Sequence, residues 1–337
     1  MIIDAHHHCL PINVYKEFHD PAAPPKRVII DNNDFTFAPK LHSIETHLRD
    51  MDFAGVDMAV LTISQYGNLG SPDLCHRINE GYAEIVAKRP DRFIATGCVP
   101  VYYPEQAVDE IDYIVKDLKF PALSLLTSQS ADLTMSNREK MWPVYKKMAE
   151  YDIPAFLHPH LKPHGIELEF TINRSIGRGF DAAKAALRIM YDVFNEFPHL
   201  KFVLPHFGGV LLAMKGRIMN FFEPQDDLGV PIPVEIRSIS KTPLELDELK
   251  FKPAFDKLFD KLYIDGAGSA GWEPITKMAM MTVRHDRLMW GTDYPYEIHA
   301  GRDLKYYIDS VKNLDIPEED KKGFLGGNIA GLLKLKK

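Results

Sequence analysis

The chain has 337 residues, 45% of them hydrophobic and 26% charged, an ordinary balance for a globular protein with ample core material and little room for extended disorder. Its formal charge of −7 and the lack of a concentrated Lys/Arg block argue against general nucleic-acid binding, because neutralising phosphates requires a basic face. Three widely spaced cysteines, Cys9, Cys75 and Cys98, offer neither a disulfide framework nor a CxxC zinc knuckle. They suit a reducing compartment, and with no secretory pattern and no run of about 18 apolar residues the expectation is a cytoplasmic protein that does not engage membranes.

The first element is the run Met1-Ile2-Ile3-Asp4-Ala5-His6-His7-His8. In a β-strand residues i and i+2 share a face, so His6 and His8 can reach one ion together while His7 points the other way. A purification-tag remnant is a poor explanation: only three histidines occur, set between Ile2-Ile3-Asp4 and Cys9-Leu10-Pro11 rather than in a Gly/Ser linker.

Beyond this run, short β-type segments alternate with helical patterns, the sign of βα units around a parallel sheet. Strands are expected over 2–6, 58–62, 93–99, 122–126, 155–158, 202–206, 262–265 and 288–293. Helical spacing falls over 43–54, 72–88, 105–116, 140–151, 182–197, 210–222 and 304–314. Pro and Gly close several of these helices, as at Arg89-Pro90, Phe197-Pro198 and Ala54-Gly55. Eight strands with intervening helices predict an α/β fold, a (β/α)8 TIM barrel in a single domain over 1–337. Two stretches break the rhythm, 9–41 and 223–253; both are expected to be loop insertions over the C-terminal mouth of the barrel.

In barrel enzymes the active site forms at the C-terminal ends of the strands. Here those ends carry His6-x-His8, Leu157-His158-Pro159-His160, Pro205-His206-Phe207-Gly208-Gly209 and Trp290-Gly291-Thr292-Asp293-Tyr294-Pro295. Any one of these histidines alone reads as structural, but four segments converging on one rim read as a site. Three neutral imidazoles and a carboxylate, from His6, His8, His158 and Asp293, make a donor set suited to zinc and acceptable to manganese. One ion is expected, since Ala122-Leu123-Ser124-Leu125-Leu126-Thr127 offers no lysine or glutamate to bridge two.

The combination resembles the amidohydrolase superfamily, in the branch of aminocarboxymuconate semialdehyde decarboxylase and the hydroxybenzoate (gamma-resorcylate-type) decarboxylases. The resemblance rests on Asp4-x-His6-x-His8, Phe156-Leu157-His158-Pro159, His206-Phe207-Gly208-Gly209, Trp290-Gly291-Thr292-Asp293-Tyr294-Pro295 and Leu325-Gly326-Gly327-Asn328-Ile329-Ala330, in order along the whole chain. It implies that His6, His8, His158 and Asp293 bind the metal, and that His206 and Asp293 are catalytic. It also implies a carboxylate-binding role for Arg49 and, in a homodimer, for Arg217 reaching into the neighbouring subunit's site. A guanidinium suits that role because its planar fork grips a carboxylate with two parallel hydrogen bonds. The segment around His47 departs from the family pattern, where a second arginine can stand, which leaves the acid recognised open.

His160 has the parity to share the face of His158, and Tyr294 lies on a rim loop; both join the candidate substrate-binding residues. His164, Glu297 and His299 lie on loops that can line the pocket, as do the aromatic candidates Phe18, Phe35, Tyr66 and Trp272. Asp265 ends a strand and either orients His206 or caps the turn after it. The reaction implied is metal-dependent, non-oxidative decarboxylation of an aromatic or unsaturated carboxylic acid. Lactone or amide hydrolysis, double-bond hydration and a non-catalytic metal-binding barrel are the alternatives, since metal ligands alone hardly separate them.

Overall fold

The computed structural model describes residues 1–30, 33–63, 71–128, 134–161, 172–222, 255–269 and 271–335. Ten strands occur among them: β1 Ile3–His8, β2 Lys26–Ile30, β3 Asn33–Phe37, β4 Met58–Thr62, β5 Phe93–Cys98, β6 Ala122–Leu126, β7 Ala155–His158, β8 Phe202–Leu204, β9 Tyr263–Asp265 and β10 Leu288–Met289. Eight form one parallel sheet in the order β1-β4-β5-β6-β7-β8-β9-β10. Backbone hydrogen bonds from Ala5 N–H to Trp290 C=O (2.9 Å) and from His8 N–H to Tyr294 C=O (2.7 Å) join the last strand back to the first. The result is the expected (β/α)8 barrel.

The helices begin and end where local chemistry dictates. The Ser43 hydroxyl accepts the Thr46 N–H at the start of helix Ile44–Ala54, and Gly55 ends it in the left-handed region (φ 78°), a conformation glycine enters without a Cβ penalty. Ser71 caps helix Pro72–Lys88 in the same way, with Pro72 in the first turn, where its missing N–H costs nothing.

Apolar side chains form two layers. One lies between the sheet and the helices. The other fills the barrel interior with Ile3, Ala5, Val60, Ile94, Ala122, Phe156, Val203 and Met289, and Ile329 and Leu332 of the short C-terminal helix Asn328–Leu332 pack against it. This packed plug closes one end and leaves the other for polar groups.

The chain breaks strict alternation once in β1. Asp4 pairs with Ala59 and His7 with Leu61, so three steps on β1 span two on β4, a β-bulge. Ile3 and Ala5 face the interior; without the bulge, His6 and His8 would point into the barrel wall. The bulge turns both imidazoles inward.

The expected insertion 9–41 is more ordered than a plain loop. It holds helix Ile12–Phe18 and an antiparallel hairpin of β2 on β3, a pairing that sequence reading missed. Phe35 and Phe37 of the hairpin are buried, with Phe37 edge-on to Tyr15. The other expected insertion, 223–253, lies outside the described residues. Cys9, Cys75 and Cys98 are free and buried, and among the described residues no helix is long and apolar enough to cross a membrane.

Candidate metal centre and active site

The strand tips bring His6, His8, His158 and Asp293 together, one ligand atom from each lying within 4.8 Å of all the others. All four are buried. Their outer atoms are committed. His8 Nδ1 donates to the Thr62 carbonyl (2.8 Å) and His158 Nδ1 to the Pro159 carbonyl (2.8 Å), and a carbonyl can only accept. Both rings therefore present Nε2 lone pairs to the cluster.

His6 completes the pattern, its Nδ1 2.9 Å from Asp265 Oδ2. Its Nε2 lies 3.1 Å from His8 Nε2 and 3.6 Å from Asp293 Oδ1. Asp293 Oδ1 sits 2.8 Å from His8 Nε2, yet it is buried and makes no hydrogen bond, as expected when two lone pairs face each other. Four inward-facing donors demand more positive charge than one proton brings, and three imidazoles with a carboxylate are a donor set for a divalent ion. The residues fit the cation.

The electrostatics of the protein groups alone show the same demand. Burial opposes charge on His6, but the Asp265 carboxylate outweighs it and raises the group to about 9. Burial pushes His8 down and His158 well down, the latter aided by the neighbouring imidazoles. The Asp293 carboxyl is buried too, but contact with His8, His206 and His6 holds it far below the usual carboxylate range.

Asp265 does both things that the sequence left open. Its Oδ2 faces His6, and its Oδ1 accepts the backbone N–H of His206 (3.0 Å) and of Ala267 (3.0 Å). Strand β8 stops at Leu204, short of the expected 206, because the chain turns sharply: His206, Phe207, Gly208 and Gly209 all have positive φ, from 53° to 70°. At Gly209 a Cβ would stand 2.2 Å from the Gly179 carbonyl oxygen, so only glycine fits there. The turn sets the His206 ring 5.1 Å from that of His6, and burial lowers its pKa to about 4.

His206, Asp293 and Glu297 also bring ligand atoms within 4.8 Å of one another. Burial, then the charge of Asp293, pushes Glu297 up to about 7. A cavity of about 430 Å³ opens over these groups, in the range of small-molecule sites. Phe35 from the β2–β3 hairpin and Trp272 line it, as the aromatic expectation required. Phe18 instead stacks on Phe37, and Tyr66 and His164 lie outside the described residues.

All four substrate-binding candidates fall elsewhere. Arg49 is exposed on helix Ile44–Ala54 and does not line the cavity; His47, Met51 and Ala54 are the buried residues of that helix. Tyr294 is fully buried, its ring stacked on His7 and its hydroxyl donating to Asp50 (2.8 Å), so Tyr296 lines the cavity in its place. His160 is buried outside the cavity, its backbone N–H donating to Asp181 (3.2 Å). Arg217 is exposed on helix Leu211–Phe222, also away from the cavity of its own chain. Among the described residues, the arginines that line it are Arg174 and Arg178, which sequence reading missed. Their i, i+4 spacing in the stretch between β7 and β8 was the available signal.

His7 faces away from the metal cluster. Its Nδ1 meets Asp4 Oδ2 (2.8 Å) and its Nε2 meets His47 Nδ1 (3.1 Å), while His47 Nε2 donates to the Lys40 carbonyl (2.5 Å). Asp4 Oδ1 also accepts the Thr292 N–H (3.1 Å) and Oδ2 its hydroxyl (2.5 Å), tying β1 to the segment that carries Asp293.

A family model described as amidohydrolase matches residues 3–226. The chain belongs to that family. Gamma-resorcylate decarboxylase of Polaromonas sp. (strain JS666 / ATCC BAA-500) is 25% identical to this amidohydrolase over 308 residues, covering 86% of this chain and 87% of the relative. The 2-amino-3-carboxymuconate-6-semialdehyde decarboxylase of Dictyostelium discoideum is 22% identical over 305 residues, 86% of this chain and 76% of its own. Among solved structures, the fold is shared with 5-carboxyvanillate decarboxylase from Novosphingobium aromaticivorans DSM 12444, complexed with manganese and 4-hydroxy-3-methoxy-5-nitrobenzoic acid. That match has TM-score 0.78 and 21% identity, covering 99% of this chain and 96% of the other.

Proposed function

We propose that this amidohydrolase is a metal-dependent, non-oxidative carboxy-lyase acting on an aromatic or unsaturated carboxylic acid. The observation that carries the reading is the buried cluster of His6, His8, His158 and Asp293, of which His158 and Asp293 line a cavity that His206 also lines. Support comes from the relatives, which are named as decarboxylases of such acids.

We assign His6, His8, His158 and Asp293 as ligands of one divalent cation. The imidazole-rich set favours zinc, and manganese, named with the 5-carboxyvanillate enzyme, is the alternative. When bound, the cation supplies Lewis-acid polarisation of a substrate oxygen. The protein does the rest. Phe35 and Trp272 in the cavity wall offer apolar contact to the substrate, and Asp265 fixes both His6 and the backbone of His206.

In the reaction the bond between the substrate carbon and its carboxylate breaks, carbon dioxide leaves, and the electron pair left on that carbon takes up a proton. Asp293 is common to the ligand cluster and to the His206–Asp293–Glu297 group. We assign it the relay of that proton: the Asp293 carboxylate, ionised at rest, takes a proton from Glu297 of the same group and passes it to the carbon, with His206 beside it. A homodimer in which Arg217 serves the neighbouring site belongs to the same reading; light scattering of the wild type and activity of Arg217→Ala test it.

The deciding experiment incubates the purified protein, its metal content measured, with a panel of hydroxybenzoates and unsaturated acids, following carbon dioxide and product mass. Release of carbon dioxide with loss of its mass supports the reading. Ring opening of a lactone without carbon dioxide, or a gain of one water, overturns it.

A further inference from the structure

Asp293 belongs to two sets of donors. With His6, His8 and His158 it forms the metal cluster; with His206 and Glu297 it forms a second set, whose ligand atoms also lie within 4.8 Å of one another. Local backbone assembles the second set. The Glu297 N–H donates to the Asp293 C=O (3.1 Å), so a single turn brings the two carboxylates, four residues apart, within reach of each other. The sharp turn after β8 delivers the imidazole of His206 to them.

The protein alone leaves these groups unsatisfied. Among the described residues, neither the His206 ring nor the Glu297 carboxylate makes a hydrogen bond or an ion pair, and Asp293 Oδ1 is buried without a hydrogen-bond partner. All three side chains line the cavity, where a small solute can meet them. One imidazole and two carboxylates are donors that zinc and manganese accept, and three protein ligands leave a coordination position open. Two neighbouring cations need a shared anionic ligand to offset their repulsion. Strand β6, Ala122–Leu126, carries no carboxylate for that purpose, but Asp293 is common to both sets.

Charge ranks the two sites. An ion held by His206, Asp293 and Glu297 is repelled by the ion at the histidine cluster and must share that cluster's single carboxylate. It therefore binds more weakly and enters only when metal is in excess. The relay assigned above passes a proton from Glu297 to Asp293, and a cation on these carboxylates takes the lone pairs that the relay uses.

We propose that His206, Asp293 and Glu297 form a second, weaker divalent-cation site through which excess metal inhibits turnover. The inhibition rests on the decarboxylase reading; the binding does not.

Equilibrium dialysis of the purified protein, its histidine cluster loaded with manganese, against rising Mn2+ tests the binding. The wild type should take up a second equivalent. Its electron paramagnetic resonance should change from that of an isolated ion to that of a spin-coupled pair, because ions sharing a ligand lie about 3.5–4 Å apart. Glu297→Gln should keep the first ion and bind the second at least about tenfold more weakly, since even groups that only orient a ligand are worth roughly 10–100-fold in affinity. Should that variant not fold, His206→Asn takes its place with the same expectation. Saturation of the wild type at one equivalent, a second equivalent without spin coupling, or a second equivalent that the substitution leaves at full affinity overturns the site.

Carbon dioxide assays test the inhibition. Turnover of the wild type should fall in proportion to occupancy of the second site and recover when the excess is dialysed away; unchanged or faster turnover at full occupancy overturns the inhibitory role. A spin-coupled second equivalent with no carbon dioxide from any acid leaves the site standing and removes the decarboxylase. Carbon dioxide release by a protein that never takes up more than one equivalent does the reverse.

Discussion

Asp265 Oδ2 lies 2.9 Å from His6 Nδ1, so a carboxylate on β9 fixes the ring orientation of a proposed metal ligand on β1. The same residue accepts the backbone N–H of His206 through Oδ1. One side chain thus positions a ligand and the turn that carries the proposed catalytic histidine.

Asp265→Asn should therefore weaken metal retention, because outer carboxylates that orient a ligating histidine are worth roughly 10–100-fold in affinity. Competition with a chromophoric chelator measures this. Unchanged affinity in a folded variant would show that Asp265 merely caps its turn.

His206→Asn should keep its metal and lose about 10²–10⁴-fold in turnover, the usual scale for a group engaged in proton transfer. Asp293→Asn should lose turnover and part of its metal, since Asp293 sits in both clusters. Metal analysis alongside the rate assay separates the two effects. A His206→Asn variant as active as the wild type would remove that residue from the chemistry.

Gly268→Ala tests placement without touching a functional side chain. Gly268 has φ 82°, and a Cβ there would stand 2.6 Å from His206 Nδ1. The substitution should displace the imidazole and cut turnover while the metal stays bound. Activity equal to the wild type would mean that the ring position is not critical.

Stability should fall with acid through His47. Burial, then the neighbouring His7, lowers its pKa from 6.5 to about 3. The unfolded chain takes up a proton below about pH 6.5 that the folded chain refuses until about pH 3. Stability from this group is therefore fully present above 6.5 and declines as pH falls through that window. The hydrogen bonds give the reason: with His47 Nε2 donating to Lys40 C=O and Nδ1 accepting from His7, an added proton would set donor against donor. Urea denaturation from pH 4 to 7 should show a shallower slope for His47→Gln, and an unchanged slope would sink the assignment.

Removal of the metal should lower the melting temperature, since an ion bound only by the folded state adds about 4 kcal/mol at a thousandfold excess over its dissociation constant. Scanning calorimetry with and without a chelator reads this directly. Identical transitions would argue that no ion occupies the His6–Asp293 cluster.

Much of this architecture was legible in the sequence because barrel strands and amphipathic helices carry different periodicities. The strands at Met58–Thr62, Ala122–Leu126 and Ala155–His158 match their expected limits. Those at 202–206 and 288–293 are shorter than expected, because their apolar runs continue into backbone turns that hydrophobicity does not register. The convergence of His6, His8, His158 and Asp293 followed from their places at strand ends. The β1 bulge did not show, since register depends on the partner strand. Tyr294, Arg49 and His160 do not line the cavity, and a residue beside a motif carries no sign of which way it faces. Tyr296 and the Arg174/Arg178 pair show what that sign would have supplied.

The seam between β1 and the segment after β10 joins position 6 to position 293. During synthesis the two histidines of the first strand leave the ribosome long before the carboxylate that completes their set. The first strand must therefore wait, without its last partner, until the segment around position 293 has emerged. Capture of an ion by the proposed four-residue set would thereby be a late event, coupled to the docking that closes the ring.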